Sequence, residues 1–327
     1  LGEAARIVST RLRSERLGVE ADATSELDTA NPQTLAAFLA FALERYPAEH
    51  SALILWGAGS GYRAVSIDES SGGDALRTGE LPDALEHTPP ATVGLDLNFG
   101  AQLEIAVELA PFSQTLVASQ ETVGSAGWDY RALLEELAAD PGGEGAFARA
   151  AVDAFSAVYA GSPGACISTV DLGRSAAVSD ALDVVSDHLY GVSGTAATRE
   201  ELRERLFSEV EDFYRTPGDL NLDLGDLAVT VAAHYPGIAT AASELLMTVG
   251  GAVRRSWCAP GANTEATGLS VHFVPVDTGG FAYPPHADEY VAGRVVGAPL
   301  RFVSDSQWVP DELDAGGLLY RLWYEAM

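Results

Sequence analysis

Lysine is missing from this chain. All 19 basic residues of the 327 are Arg, and they face 47 acidic ones, a formal net charge of −28. A surface so negative excludes electrostatic binding to nucleic acid or to anionic lipid. With abundant Ala and Gly, the lack of Lys fits a GC-rich genome, a saline habitat, or both. Cysteine is nearly missing too, with only Cys166 and Cys258. The two lie far apart and Cys166 sits in the apolar run ACISTVDL, so two free thiols are expected, with one disulfide as the alternative. No stretch of about 18 apolar residues occurs, so no membrane-spanning helix is expected. The first residues, LGEAARIVST, lack a charged-then-apolar leader, so a secretory signal is absent or already removed.

Motifs for several chemistries are lacking as well. His50, His87, His188, His234, His272 and His286 show no metal-ligand spacing, so neither metal nor cofactor is expected; His272, in the strand-like GLSVHFV, reads as a structural histidine. There is no G-x-S-x-G, and Ser60 has no local histidine to activate it. Gly57, Gly59 and Gly61 follow an apolar run, but a dinucleotide fingerprint needs glycine where Tyr62 stands, which leaves a tight turn. Asp219, Asn221 and Asp223 alternate like calcium ligands. Leu224 replaces the glycine that such a loop needs and no Glu closes it, so this reads as a helix entry.

What is present centres on Ser51–Tyr62, SALILWGAGSGY, an apolar run that stops at a glycine-rich turn. It predicts a buried strand, Ala52–Trp56, opening onto a site. Thr92–Asn98, TVGLDLN, repeats the arrangement, and two parallel strands ending at one edge make a crevice. Around them the patterns predict a helix over Asp28–Arg45 with Pro32 in its first turn and strands at Arg6–Leu12 and Ala64–Ile67. Helices are expected at Thr78–His87, Gly100–Leu109 and Trp128–Ala139, and a strand at Thr115–Ser119. From Glu144 to about Val253 the chain reads as mainly helical, broken by a strand at Ala165–Leu172 and a turn at Thr216-Pro217-Gly218. Gly268–Pro275 returns to strand, and Trp308 and Trp323 are expected to pack the terminus onto the core.

At these residues the chain resembles the clostripain-type cysteine peptidases, relatives of caspases. Their strand ending L-I-L-W-N-H-G-G-G-W carries the general base, and their strand ending D-A-C-L-M carries the nucleophile. LILWGAGSGY and GLDLNFGAQLE match these two. Leu27-Asp28-Thr29, Tyr46-Pro47-Ala48, Val117–Glu121, Gly127–Tyr130, Asp223-Leu224 and Gly268–Val271 resemble further landmarks in the same order. The resemblance implies a caspase-like three-layer α/β sandwich with a largely parallel central sheet and a mainly helical insertion. It divides the chain into a core carrying the site (1–140), a mainly helical region (141–260) and a strand-containing part returning to the core (261–327). It also implies export, and an upstream strand and helix before Leu1.

The departures decide the expected function. Ala58 stands at the family's histidine position and Asn98 at its cysteine position. Neither a methyl group nor a carboxamide can act as base or nucleophile in acyl transfer. The chain therefore reads as a pseudopeptidase that binds a peptide or protein segment, Arg-containing or otherwise, or serves as a scaffold. The alternative is an active hydrolase that uses relocated residues or whose dyad was replaced by engineering. Asp96 matches the acid that receives a basic substrate side chain, its bland alternative being a cap for backbone amides. Gly59 and Asn98 supply backbone amides, and Ser119 completes the expected pocket. Near the loop where active relatives are nicked only Arg77 is basic, so no such processing is expected.

Overall fold

The computed structural model describes residues 27–57, 59, 61–68, 70–140, 145–213 and 221–272, with the backbone of 294–295 and 298–299. The expected strand at Arg6–Leu12, the turn at Thr216-Pro217-Gly218 and the packing of Trp308 and Trp323 lie outside these residues, as do Ala58 and Ser60.

The chain enters through α1 (Pro32–Arg45), whose start is fixed by Pro32 in its first turn and by Asn31, whose side chain accepts the amide of Gln33. β1 (Ala52–Trp56) follows. The polar stretch beyond it forms a hairpin of β2 (Ser66–Asp68) and β3 (Asp74–Leu76). A 3₁₀ turn at Thr78–Glu80 and the short α2 (Leu81–Leu85) lead to β4 (Thr92–Asp96). Next come α3 (Leu103–Leu109), β5 (Thr115–Ala118), α4 (Tyr130–Ala139) and α5 (Ala146–Tyr159). β6 (Cys166–Asp171) precedes α6 (Ser175–Val192) and α7 (Ala196–Glu209). β7 (Asp212–Phe213), β8 (Asn221–Asp223), α8 (Leu224–His234), α9 (Ala239–Ala252), β9 (Val253–Cys258) and β10 (Ser270–His272) complete the described core.

The central sheet has the order β1-β4-β5-β6-β9. β1, β4 and β5 are parallel, as strands alternating with helices require, while β6 and β9 are added antiparallel. Strand alternation assigns each residue to one of two packed faces. Val93, Leu95, Leu116, Ala118 and Val170 join a cluster with α1, α2, α3, α6, α8 and α9. Val117 and Ile167 join Trp128, Leu133, Phe155 and Tyr159 of the α4–α5 side. Helices on both faces make three layers. α6 buries Val178, Leu182, Val185 and Leu189 along one stripe, and each such side chain removed from water is worth about 1.5–3 kcal/mol.

β4 is buried along Val93–Asp96, whereas in β1 only Leu53 is fully buried and both end residues are exposed. The apolar run ALILW is thus less enclosed than it reads, because β1 pairs with β4 alone among the described residues. The expectation of two free thiols is overturned: Cys166 and Cys258 form a disulfide. Antiparallel pairing of β6 with β9 sets them directly opposite, with Cα atoms 4.1 Å apart, although 92 residues separate them in sequence. A second sheet, β10-β8-β7, stands at the end of α8, whose N-cap is Asp223. The helix entry read at Asp223 is therefore present.

Candidate functional site

β1 and β4 end side by side, with Trp56 in register with Asp96. Beyond them the chain turns sharply. Phe99 takes a left-handed conformation (φ 57°), unusual for a residue with a side chain, and its amide donates to the carbonyl of Glu121. On the β1 side, a side chain at Gly59 would come within 2.5 Å of Leu97, so only glycine lets the two strand ends approach. Between these turns lies a crevice of about 300 Å³, walled by Trp56, Gly57, Asp96, Leu97, Asn98, Val123, Gly124 and Ser125.

Asp96 is 2% exposed, on the face of β4 that carries the α4–α5 layer. Its Oδ2 accepts the amide of Trp128 at 2.9 Å and the hydroxyl of Tyr130. Its Oδ1 is buried and has no hydrogen-bond partner among the described residues. Oδ2 thus caps a turn, while Asp96 as a residue also contributes to the crevice wall. Burial pushes the carboxyl above the ordinary carboxylate range, opposed by the hydrogen bonds from Tyr130 and Trp128. The Tyr130 phenol is raised as well, by burial first and then by its bond to Asp96, and so stays a donor.

Asn98 is half-buried, and its Oδ1 accepts the amide of Val123 at 2.8 Å. That bond fixes which carboxamide atom is oxygen, and it ties the end of β4 to the segment forming the opposite wall. Ser119 is buried at the end of β5, its Oγ accepting the amide of Glu121 at 3.0 Å, and it forms none of the crevice wall. Gly59 packs on Leu97 behind the wall. Glu121, on the approach to Val123, has its carboxyl raised chiefly by burial and further by nearby Asp212.

The structure places Asp96 and Asn98 on one crevice and adds Trp56, Val123 and Ser125 to its wall, which the sequence reading had not singled out. Trp56 was legible as the large aromatic ending the apolar run. It is 65% exposed, unusual for a tryptophan. Val123 and Ser125 carried no signal. Among the described residues no group of three or more His, Cys, Asp or Glu is placed to hold a metal ion, and no helix is long and apolar enough to cross a membrane. His272 is buried, its ring 4.6 Å from that of Tyr62 and its amide bonded to Glu104, a structural setting.

A mixed sheet between helical layers, with a crevice where parallel strands end, defines a caspase-like α/β fold. The chain belongs to the clostripain family, which matches residues 5–232. Among solved structures, it is similar to an inactive zymogen C11 protease from Parabacteroides distasonis, with a TM-score of 0.64 and 17% identity over 86% of this chain and 77% of that one. It is similar also to a secreted C11 cysteine protease from Bacteroides thetaiotaomicron in complex with an irreversible peptide inhibitor (TM-score 0.62, 13% identity, 87% of this chain and 80% of that one). At such identities the likeness concerns the fold. No match is found among curated proteins.

Proposed function

We propose that this chain is a non-catalytic member of the clostripain family whose crevice binds a peptide segment bearing a basic side chain. The observation that carries the reading is the end of β4, which offers the crevice a carboxylate and a carboxamide and no nucleophile. With Ala at position 58, the sequence has no base at the matching position on β1's turn either. Acyl transfer needs both groups, whereas binding needs neither.

For binding, Asp96 Oδ1 is an acceptor without a partner among the described residues, and such a buried oxygen is costly until a donor reaches it. A net charge of −28 favours a cationic partner. Export belongs to the same reading. A disulfide suits an oxidising compartment, and one relative of the same fold is described as secreted.

The test is calorimetric titration of a blocked Arg-containing pentapeptide into the wild-type protein and Asp96→Asn. Binding by the wild type that drops at least tenfold in the variant supports the proposal. Equal binding, or none, leaves Asp96 a cap and favours a scaffold without a peptide crevice.

A further inference from the structure

We infer that Tyr159 is the positioning residue of the crevice's far wall: from the end of α5 its hydroxyl holds the turn Gly124–Gly127 in place, and peptide affinity depends on that hold. The inference rests on the peptide-binding reading above and names what keeps that site formed.

The wall facing the strand ends is built by Val123, Gly124 and Ser125. These residues belong to no helix or strand, so their place is set by the bonds made to them. β4 and its end supply two such bonds, one on either side of the turn. The Asn98 carboxamide takes the Val123 amide at 2.8 Å, and Asp96 takes the Trp128 amide at 2.9 Å. Between them Tyr159 reaches in from the opposite layer. Its hydroxyl donates to the carbonyls of Gly127 at 3.1 Å and Gly124 at 3.2 Å, one hydrogen shared between both ends of the turn. The Gly127 amide closes that turn onto the Gly124 carbonyl at 2.9 Å.

Tyr159 is fitted to this task. It is buried in the α4–α5 cluster with its ring 4.4 Å from that of Phe155, so packing fixes where the hydroxyl stands. Burial, and then the nearby charge of Asp96, raise the phenol and keep it a donor. Glycine is needed at both ends of the turn. A side chain at Gly124 would come within 2.9 Å of the Tyr159 ring, and one at Gly127, left-handed at φ 64°, within 2.6 Å of Asp96. A wall held from behind is ordered before a peptide arrives. Without the hydroxyl, the cost of ordering it falls on binding.

The experiment compares the wild type with Tyr159→Phe, which keeps the ring and removes only the hydroxyl. In the free variant, hydrogen exchange should quicken over residues 123–128 while β4 and β5 keep their protection. The blocked peptide Ala-Ala-Arg-Ala-Ala should bind it about three- to tenfold more weakly by calorimetry. Ile167→Val, which trims the same core cluster without touching the turn, is the control: it should lower the urea midpoint and leave peptide affinity within about twofold of wild type. Unchanged exchange over 123–128, or unchanged affinity in Tyr159→Phe, would overturn the assignment while leaving the crevice a peptide site. An equal loss of affinity in Ile167→Val would overturn it too, by tracing the effect to stability alone. A wild-type protein that binds no peptide would instead remove the underlying reading, and the inference with it.

Discussion

Tyr130 donates its phenolic hydrogen to Asp96 Oδ2, the same oxygen that takes the Trp128 amide at 2.9 Å. Burial raises the Asp96 carboxyl and these bonds oppose the rise. Cation binding needs the charged carboxylate, so Arg-peptide affinity should fall as pH drops through a midpoint above the ordinary aspartate value of about 3.9. Tyr130→Phe removes a bond to the charged form and should move that midpoint upward. Titrations from pH 4 to 8 decide it, and a midpoint moving downward would contradict the assignment.

The same shift bears on stability. Because the folded-state pKa is raised, the native protein holds this proton more tightly than the unfolded chain. Its contribution to stability therefore declines as pH rises from the unfolded value through the folded one. Asp96→Asn, which keeps an acceptor for Tyr130 and Trp128, should lack this decline. Urea melts of the two proteins should converge at low pH, with the variant gaining on the wild type as pH rises.

Peptide-bond cleavage is expected to be undetectable. Losing a nucleophile and its base removes on the order of a millionfold in rate, and positions 58 and 98 carry Ala and Asn. A fluorogenic Arg-amide should show no turnover that depends on residue 98. The double variant Ala58→His with Asn98→Cys should recover a trace at most, since Leu97 and the left-handed Phe99 flank the thiol position. Turnover by the purified wild type that disappears on changing Asn98 would overturn the proposed function.

Asp223 is fully buried and accepts five hydrogen bonds, from the amides of Gly225, Asp226 and Thr267, the Thr267 hydroxyl and the Gln120 side chain. It joins the start of α8 to the end of β5 and to the approach to β10. Asp223→Ala leaves several buried donors without partners and should cost roughly 3–5 kcal/mol by urea melts. A loss below about 1 kcal/mol would mean that water replaces the carboxylate.

The Cys166–Cys258 disulfide closes a loop of 92 residues. In the chain-entropy account such a crosslink is worth roughly 4–5 kcal/mol, with engineered examples often giving less. Cys258→Ser should lower the urea midpoint markedly and make it insensitive to reductant, whereas the wild type should be sensitive.

Local patterns carried much of this architecture. Pro32 lies in the first turn of α1 as expected, although the helix starts there and not at Asp28; the apolar run before Gly57 gave β1 with its bounds, and TVGLDLN gave β4 from Thr92, although it ends at Asp96 and not at Asn98. The framework of the crevice followed, because parallel strand ends need no knowledge of distant residues. What escaped was non-local. β9, VRRSWC, has an exposed, polar middle and so no apolar run to betray it. The disulfide depends on that strand's pairing with β6. Likewise, Trp128 and Tyr130 reach Asp96 across more than 30 residues, a distance that no spacing rule spans.

Asn98 does more than fail to be a nucleophile. Its oxygen braces Val123 and so holds the far wall of the crevice in place, a task for which a thiol, a weak acceptor, is ill suited. Asn98→Cys would therefore leave the Val123 amide without its acceptor, so that a thiol placed at the end of β4 would stand in a crevice with one tie fewer across it.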